Sequence, residues 1–220
     1  PYMWTLVGKD FKILRSTLFI YLLLLGISMA SMLGFGHGKD WLSMVGAWSF
    51  MIPYVCVGRI CYEEETSDGL SLQRALPVRA ETIVTAKFLT AVVLTVVPVF
   101  LLAGAAEAVQ ALPWLSSPTD ISMLPAALTG LVSVGLVMEG LFLFAFFLWG
   151  YRRATYVYLL PLLFLLPAFF PDSARVVLLR LKRHLASAFD FYWLPPVAAA
   201  AVYAGLALAA QRVFRSKDLA

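Results

Sequence analysis

From Thr17 to Phe35 the chain carries no charged side chain. In a helix rising 1.5 Å per residue, such a run crosses close to the ~30 Å hydrocarbon core of a bilayer. Comparable apolar runs cover Thr17 to Phe35, Trp41 to Ile60, Ile83 to Gln110, Ile121 to Gly150, Thr155 to Pro171 and Tyr192 to Gln211. In hydrocarbon every backbone amide must find its partner inside the protein, and runs of this length do so as helices, because a barrel strand needs only about ten residues. The expected fold is therefore all-α: a single transmembrane domain over residues 1–220, with six transmembrane helices. Composition agrees, at 61% hydrophobic and 14% charged residues, where soluble domains carry about 25% charged. The fourth run is long enough to tilt. The fifth is short and interrupted by Pro161, Pro167 and Pro171.

Lys and Arg in the flanks give the orientation, because cytosolic flanks are enriched in them. With the N-terminus in the cytosol, that side holds Lys9, Lys12, Arg15, Arg59, Arg74, Arg79, Lys87, Arg152, Arg153, Arg212, Arg215 and Lys217. The other side holds Lys39, Arg175, Arg180, Lys182 and Arg183. The imbalance predicts a multi-pass protein with both termini cytosolic. The segment from Glu107 to Asp120 has no basic residue and suits the external side. Residues 172–190 are basic yet fall outside, the one misfit in this assignment. The net charge of +4 is scattered over segment ends rather than gathered on a face, so nucleic acid is not an expected partner.

Two amphipathic stretches accompany the spans. In residues 1–16, Met3, Trp4, Val7, Phe11 and Leu14 recur at helical spacing among Lys9, Lys12 and Arg15. That pattern predicts an interfacial helix lying on the cytosolic leaflet before the first span, with a plain extension of that span as the alternative. In residues 172–190, Val177, Leu178, Leu181, Leu185 and Phe189 form one face and Arg180, Arg183 and His184 the other. An external amphipathic helix is expected there, and Leu178, Leu181 and Leu185 are its candidate gate.

The most polar stretch is EEETSDGLSLQRALPVRAETIVTAKF, residues 63–88, between the second and third runs. Glu63, Glu64 and Glu65 should prolong the second helix beyond the bilayer. Thr66, Ser67, Asp68 and Gly69 supply capping residue types and a bend. Leu70, Ser71, Leu72, Gln73, Arg74, Ala75 and Leu76 then read as a short amphipathic cross-helix, stopped by Pro77. Arg79 precedes the third helix, which begins near Glu81. A connector could be far shorter, so the segment over residues 61–82 is expected to present a surface to another protein. A solvated loop without a partner is the plainer alternative.

This stretch resembles the loop between spans two and three of ATP-binding-cassette exporter permeases of the type-2 group. The matching residues are Glu64, Leu76, Pro77, Val78, Arg79, Ile83, Val84 and Lys87, with Ala75 where that group more often has Ser. The Lys9-Asp10 pair opening KDFKILRS is similar to the group's start. The resemblance implies a cytosolic coupling helix at Thr66 to Pro77 that docks on a separate ATPase subunit, with Glu63, Glu64 and Arg79 as flanking contacts. It further implies two permeases working with two ATPases in a bacterial cell membrane, and ATP with Mg bound by the partner. No G-x-x-x-x-G-K-[ST] phosphate loop occurs in this chain. It is therefore expected to carry no cofactor, no metal and no enzymatic activity of its own.

Other chemistry is sparse. Cys56 and Cys61 lie five apart on one run, a spacing that suggests neither a disulfide framework nor a metal site. His37 and His184 fall in different external segments without an acidic cluster. Glu139 is the one acid well inside a run; it either lines a substrate path or is a neutral, hydrogen-bonded structural residue. Glu107 reads as interfacial. Gly26, Ala30 and Gly34 recur every four positions and let helix backbones approach closely, at a dimer seam or within one subunit. Ala201, Gly205 and Ala209 form a weaker stripe. Few intramembrane charges favour a hydrophobic or amphipathic cargo, such as a peptide toxin or antimicrobial peptide, over a small ion. Drugs, lipids and lipid-linked sugars are the alternative cargoes. From another class, a non-transporting sensor or assembly protein stays open, and the polar loop separates the two because only a transporter needs an ATPase.

Overall fold

A computed structural model describes residues 2–35, 40–67, 69, 78–110, 124–159 and 194–217 of the chain. Helix α1 spans Tyr2–Phe35, α2 Asp40–Thr66, α3 Ala80–Gln110 and α4 Leu124–Trp149. A short α5, Tyr151–Ala154, runs into a 3₁₀ turn at Thr155–Leu159, and α6 covers Leu194–Lys217. The described residues thus form an all-helical protein. Among the described residues, three helical segments are long and apolar enough to cross a membrane: Ala80–Leu101, Leu128–Trp149 and Leu194–Ser216. Only the start of the expected fifth span, as the 3₁₀ turn, lies within the described residues. The external amphipathic stretch, with Leu178, Leu181 and Leu185, lies outside them.

Helix α3 is central and packs against α1, α2, α4 and α6. Its buried residues Ile83, Val84, Phe88, Ala91 and Leu94 join Cys56, Val57 and Ile60 of α2 and Phe142, Leu143 and Phe146 of α4 in one apolar core. Helix α6 is peripheral. Only 22% of its span is buried, against 56% for α3 and 61% for α4. It meets the core along one stripe, Tyr203, Ala210 and Phe214. The stripe is close-packed: a Cβ on Gly140 of α4 would lie 2.9 Å from Tyr203 Cδ2 and 3.0 Å from Leu206 Cδ1. Glycine is therefore what lets α4 and α6 approach here. Pro53 and Pro98 sit inside α2 and α3, where each removes one bond to the carbonyl four residues back.

The N-terminal stretch follows the alternative given for it, a plain extension of the first span. No separate interfacial helix precedes the span: α1 is continuous from Tyr2 to Phe35. Val7, Asp10 and Leu14, at helical spacing, are buried inward, while Trp4 is exposed. The physical reason is the buried Asp10. Its cationic partner lies on α3, so the first turns of α1 are held against the bundle instead of lying free on a lipid surface.

One end of the bundle gathers five helix termini. Asp10 of α1 reaches Lys87 near the start of α3, and Glu64 at the end of α2 reaches the same lysine. Glu65 reaches Tyr151 just beyond α4. Phe147 of α4 stacks edge-on against Phe214 of α6 at 5.3 Å, and Arg215 lies 3.6 Å from Glu81.

Candidate functional site

The acidic triplet ends α2, and helix geometry sends its members apart. Successive side chains differ by about 100° around a helix of 3.6 residues per turn, so three neighbours address three surroundings. Glu63 turns outward and pairs with Arg59 one turn back. Glu64 turns inward and is 2% exposed. Glu65 reaches across to the α4–α5 break, where its carboxylate accepts the Tyr151 N–H.

Glu64 belongs to a buried ionic cluster that joins three helices. Lys87 Nζ donates to Asp10 Oδ1 at 2.6 Å and contacts Glu64 Oε1 at 2.8 Å. Lys9 also donates to Glu64 and lies 3.8 Å from Asp10 Oδ1. Thr90 Oγ1 lies 3.3 Å from Asp10 Oδ2. Two cations and two carboxylates compensate one another, as charges removed from water must. Burial pushes both acids up. In Asp10 it prevails over the Lys87 charge, with Glu64 beside it adding to the effect, and the carboxyl lies above its ordinary value. In Glu64 the Lys87 and Lys9 ammoniums outweigh burial and hold the carboxyl below its ordinary value.

The loop joins the bundle at this cluster. On the entry side, Thr66 Oγ1 donates to the Tyr62 carbonyl at 2.9 Å, and Ser67 N–H to the Glu63 carbonyl at 3.0 Å. These bonds satisfy carbonyls that the end of a helix leaves open. Gly69 packs back on Glu64, a Cβ there lying 3.4 Å from the Glu64 Cα. On the exit side, the Arg79 carbonyl accepts the Thr82 N–H at 2.9 Å and opens α3. Glu81 follows in its first turn, where the helix dipole favours an acid. Arg79, Ala80, Glu81 and Arg215 line an open cleft of about 460 Å³ beside this exit. Asp68, Leu70, Ser71, Leu72, Gln73, Arg74, Leu76 and Pro77 lie outside the described residues.

The α4–α5 break depends on its glycine. Gly150 has φ 84° and ψ 173°, a region essentially reserved for Gly. A Cβ there would stand 3.2 Å from Glu65 Oε2. Tyr62 and Tyr151 meet edge to face at 5.4 Å across the same junction.

The remaining candidate residues lie elsewhere. Glu139 is buried in α4, 3% exposed, with Thr95 Oγ1 of α3 2.6 Å from its Oε2. Gly26 lies on α1, and among the described residues nothing would crowd a Cβ there. Ala30 and Gly34 follow on the same helix, and their side-chain surroundings lie outside what is described. Among the described residues no His, Cys, Asp and Glu cluster could hold a metal ion. Cys56 and Cys61 are free and buried.

Sequence reasoning missed three parts of this site. The pattern that singled out Lys9-Asp10, Glu64 and Lys87 did not show that they meet. Glu65 was read only as prolonging the second helix, and Gly150 was not singled out. The available signal was Glu64 itself: an acid flanked by two others, one helical turn beyond the buried Ile60, falls on the inward face.

No curated protein and no solved structure matches the chain. A family model described as "ABC-2 family transporter protein" matches residues 5–208, a range that contains every member of the buried ionic cluster. This chain belongs to the ABC-2 transporter family, as a membrane protein of the permease type.

Proposed function

We propose that the chain is the membrane subunit of an ATP-driven exporter, and that residues 63–79 form its docking surface for a separate ATPase subunit. The observation that carries this reading is the Glu64–Lys87–Asp10 cluster. It ties the entry and exit of the loop to one another and to α1. A displacement of the loop is therefore passed to α1, α2 and α3 together, and through Glu65 to the end of α4. A solvated connector would have no use for such an anchor.

ATP and Mg belong to the partner in this reading, and two permeases act with two ATPases. Closing of the ATPase pair moves the loops, and the spans rearrange to open a path outward or sideways into the bilayer. The bundle end that carries Lys9, Arg79, Arg152, Arg153 and Arg215 faces the cytosol, as the positive-inside rule prefers. The membrane is a bacterial cell membrane, and Gly26, Ala30 and Gly34 form the seam between permease copies. The cargo is an amphipathic peptide or another amphipathic molecule, because charged residues within the apolar stretches are few and Glu139 among them is hydrogen-bonded internally.

Gentle extraction of the native complex, with mass spectrometry of what co-purifies, tests the reading. An ATPase subunit near equal stoichiometry is expected, and its loss when residues 69–76 are replaced by a Gly-Ser linker. Absence of any ATPase from an intact, folded sample sinks the docking assignment.

A further inference from the structure

Glu139 lies mid-helix in α4, and its hydrogen bonds constrain its protonation. Thr95 Oγ1 is 2.6 Å from Glu139 Oε2 and 2.9 Å from the Ala91 carbonyl oxygen. A hydroxyl has one hydrogen, so Thr95 cannot donate to both. With an ionised carboxylate, the hydroxyl must abandon Ala91, and the buried charge keeps a single hydrogen bond. With a protonated carboxyl, Glu139 O–H donates to Thr95 and Thr95 O–H donates to Ala91. Only the second arrangement satisfies Glu139 Oε2, Thr95 Oγ1 and the Ala91 carbonyl together.

Charge reaches the same answer independently. No Lys or Arg occurs in residues 88–110 of α3, in α4, in residues 40–58 of α2 or in residues 194–211 of α6. Lys87 precedes Thr95 by eight residues, about 12 Å along the helix, and is engaged by Asp10 and Glu64. Among the described residues, the titratable groups near the carboxyl are Cys56 of α2 and Tyr203 of α6. The Tyr203 hydrogen goes to the Phe88 carbonyl at 2.6 Å. Tyr151, Arg152, Arg153 and Tyr156, from the elements beyond the end of α4, start twelve residues later, about 18 Å along the axis. Among the described residues the carboxyl has no counter-charge, and a carboxylate so placed in apolar packing takes up a proton instead.

We propose that Glu139 is a proton-binding site in the membrane interior. It holds a proton while α2, α3, α4 and α6 are packed as here, and releases it when α4 parts from α3 and α6. The carboxyl O–H bond breaks, an entering water takes the proton, and the carboxylate is reprotonated when the helices repack. The loaded state rests on the packing alone. The release rests on the permease reading, since transport is what parts the helices.

Infrared difference spectroscopy of the purified chain at neutral pH tests the loaded state. A carboxylic-acid carbonyl band is expected in the wild type and should be lost in Glu139→Gln, whose amide still donates to Thr95. Thr95→Val should keep the band and move it to higher frequency as its hydrogen bond disappears. Identical wild-type and Glu139→Gln spectra overturn the proposal. If that variant does not fold, absence of the acid band from the wild type does the same.

Release is tested with the co-purifying ATPase, in weak buffer with a pH-sensitive dye and a non-hydrolysable ATP analogue. About one proton per chain is expected from the wild type, and none from Glu139→Gln. A nucleotide-driven conformational change with no difference between the two overturns the release. If no ATPase co-purifies, the permease reading fails and takes the release with it, while the infrared band still decides the site.

Discussion

Lys87 Nζ stands 2.8 Å from Glu64 Oε1, bridging the helix that enters the polar loop and the helix that leaves it. The same ammonium holds Asp10 of α1. Removing it strands two buried carboxyl groups, with only the half-exposed Lys9 to compensate. Breaking a buried pair from one side costs about 3–5 kcal/mol. Lys87→Met should therefore lower stability by that order. Thermal unfolding of the detergent-solubilised chain measures it, and a loss under ~1 kcal/mol would show that the cluster is loosely held.

Glu63 supplies the contrast. Its partner Arg59 is half exposed, and exposed pairs contribute about 0–1 kcal/mol. Glu63→Gln should leave the unfolding transition within that range, whereas Glu64→Gln should not. Equal effects at the two positions would mean that the triplet is not divided as described.

The two buried acids give opposite pH signatures. Glu64 is held below its ordinary 4.5. Its contribution is complete above that value and is lost as pH falls through the lower, folded one. Asp10 is raised above its ordinary 3.8, so the folded protein takes up its proton first, and stability rises as pH falls toward 3.8. In a Glu139→Gln background, which removes the other buried acid, melting curves from neutral pH downward should show acid loss in Asp10→Asn and acid gain in Glu64→Gln. Parallel curves for the two variants would contradict the assignment.

Two glycines separate close packing from open surface. Gly140→Ala places a methyl against a Tyr203 ring that is fixed by its bond to Phe88 and by edge contact with the Phe88 ring. Overpacking of this kind costs about 1–3 kcal/mol. Gly205, on the same α6, has open space around it, so Gly205→Ala should be neutral, or stabilising by up to about 1 kcal/mol through helix propensity. Unfolding of both variants side by side decides whether α4 and α6 are as close as described.

Gly150→Ala combines backbone strain with crowding of Glu65. A loss of about 1–3 kcal/mol is expected. Under the coupling reading, nucleotide-stimulated transport should fall further than permease abundance. Equal falls in transport and abundance would assign the junction a purely structural role.

The apolar runs made the helices readable, because span length and hydrocarbon thickness are fixed quantities. Thr66 and Ser67 also signalled the end of α2 correctly. The reading failed where the answer depended on a distant partner. Residues 1–16 have the periodicity of a surface helix, and nothing local reveals that Asp10 meets a lysine 77 positions away. Glu65 looked like one more solvated acid, since its acceptor role depends on a backbone N–H after Gly150. Glu139 was narrowed to two roles by sequence. Its partner Thr95 lies on another helix and could not be read there.

The divided triplet also constrains the chain in a way no single side chain does. Because Glu63, Glu64 and Glu65 are aimed by their angular positions, adding or removing one residue between Cys61 and Glu63 would rotate all that follows by about 100°. Glu64 would leave Lys87, and Glu65 would leave the Gly150 junction, in one step. The segment beyond Ser67 could change length and keep these contacts. The last turn of α2 therefore acts as an indexing key: its residue count, more than its composition, sets which helices the end of α2 is tied to.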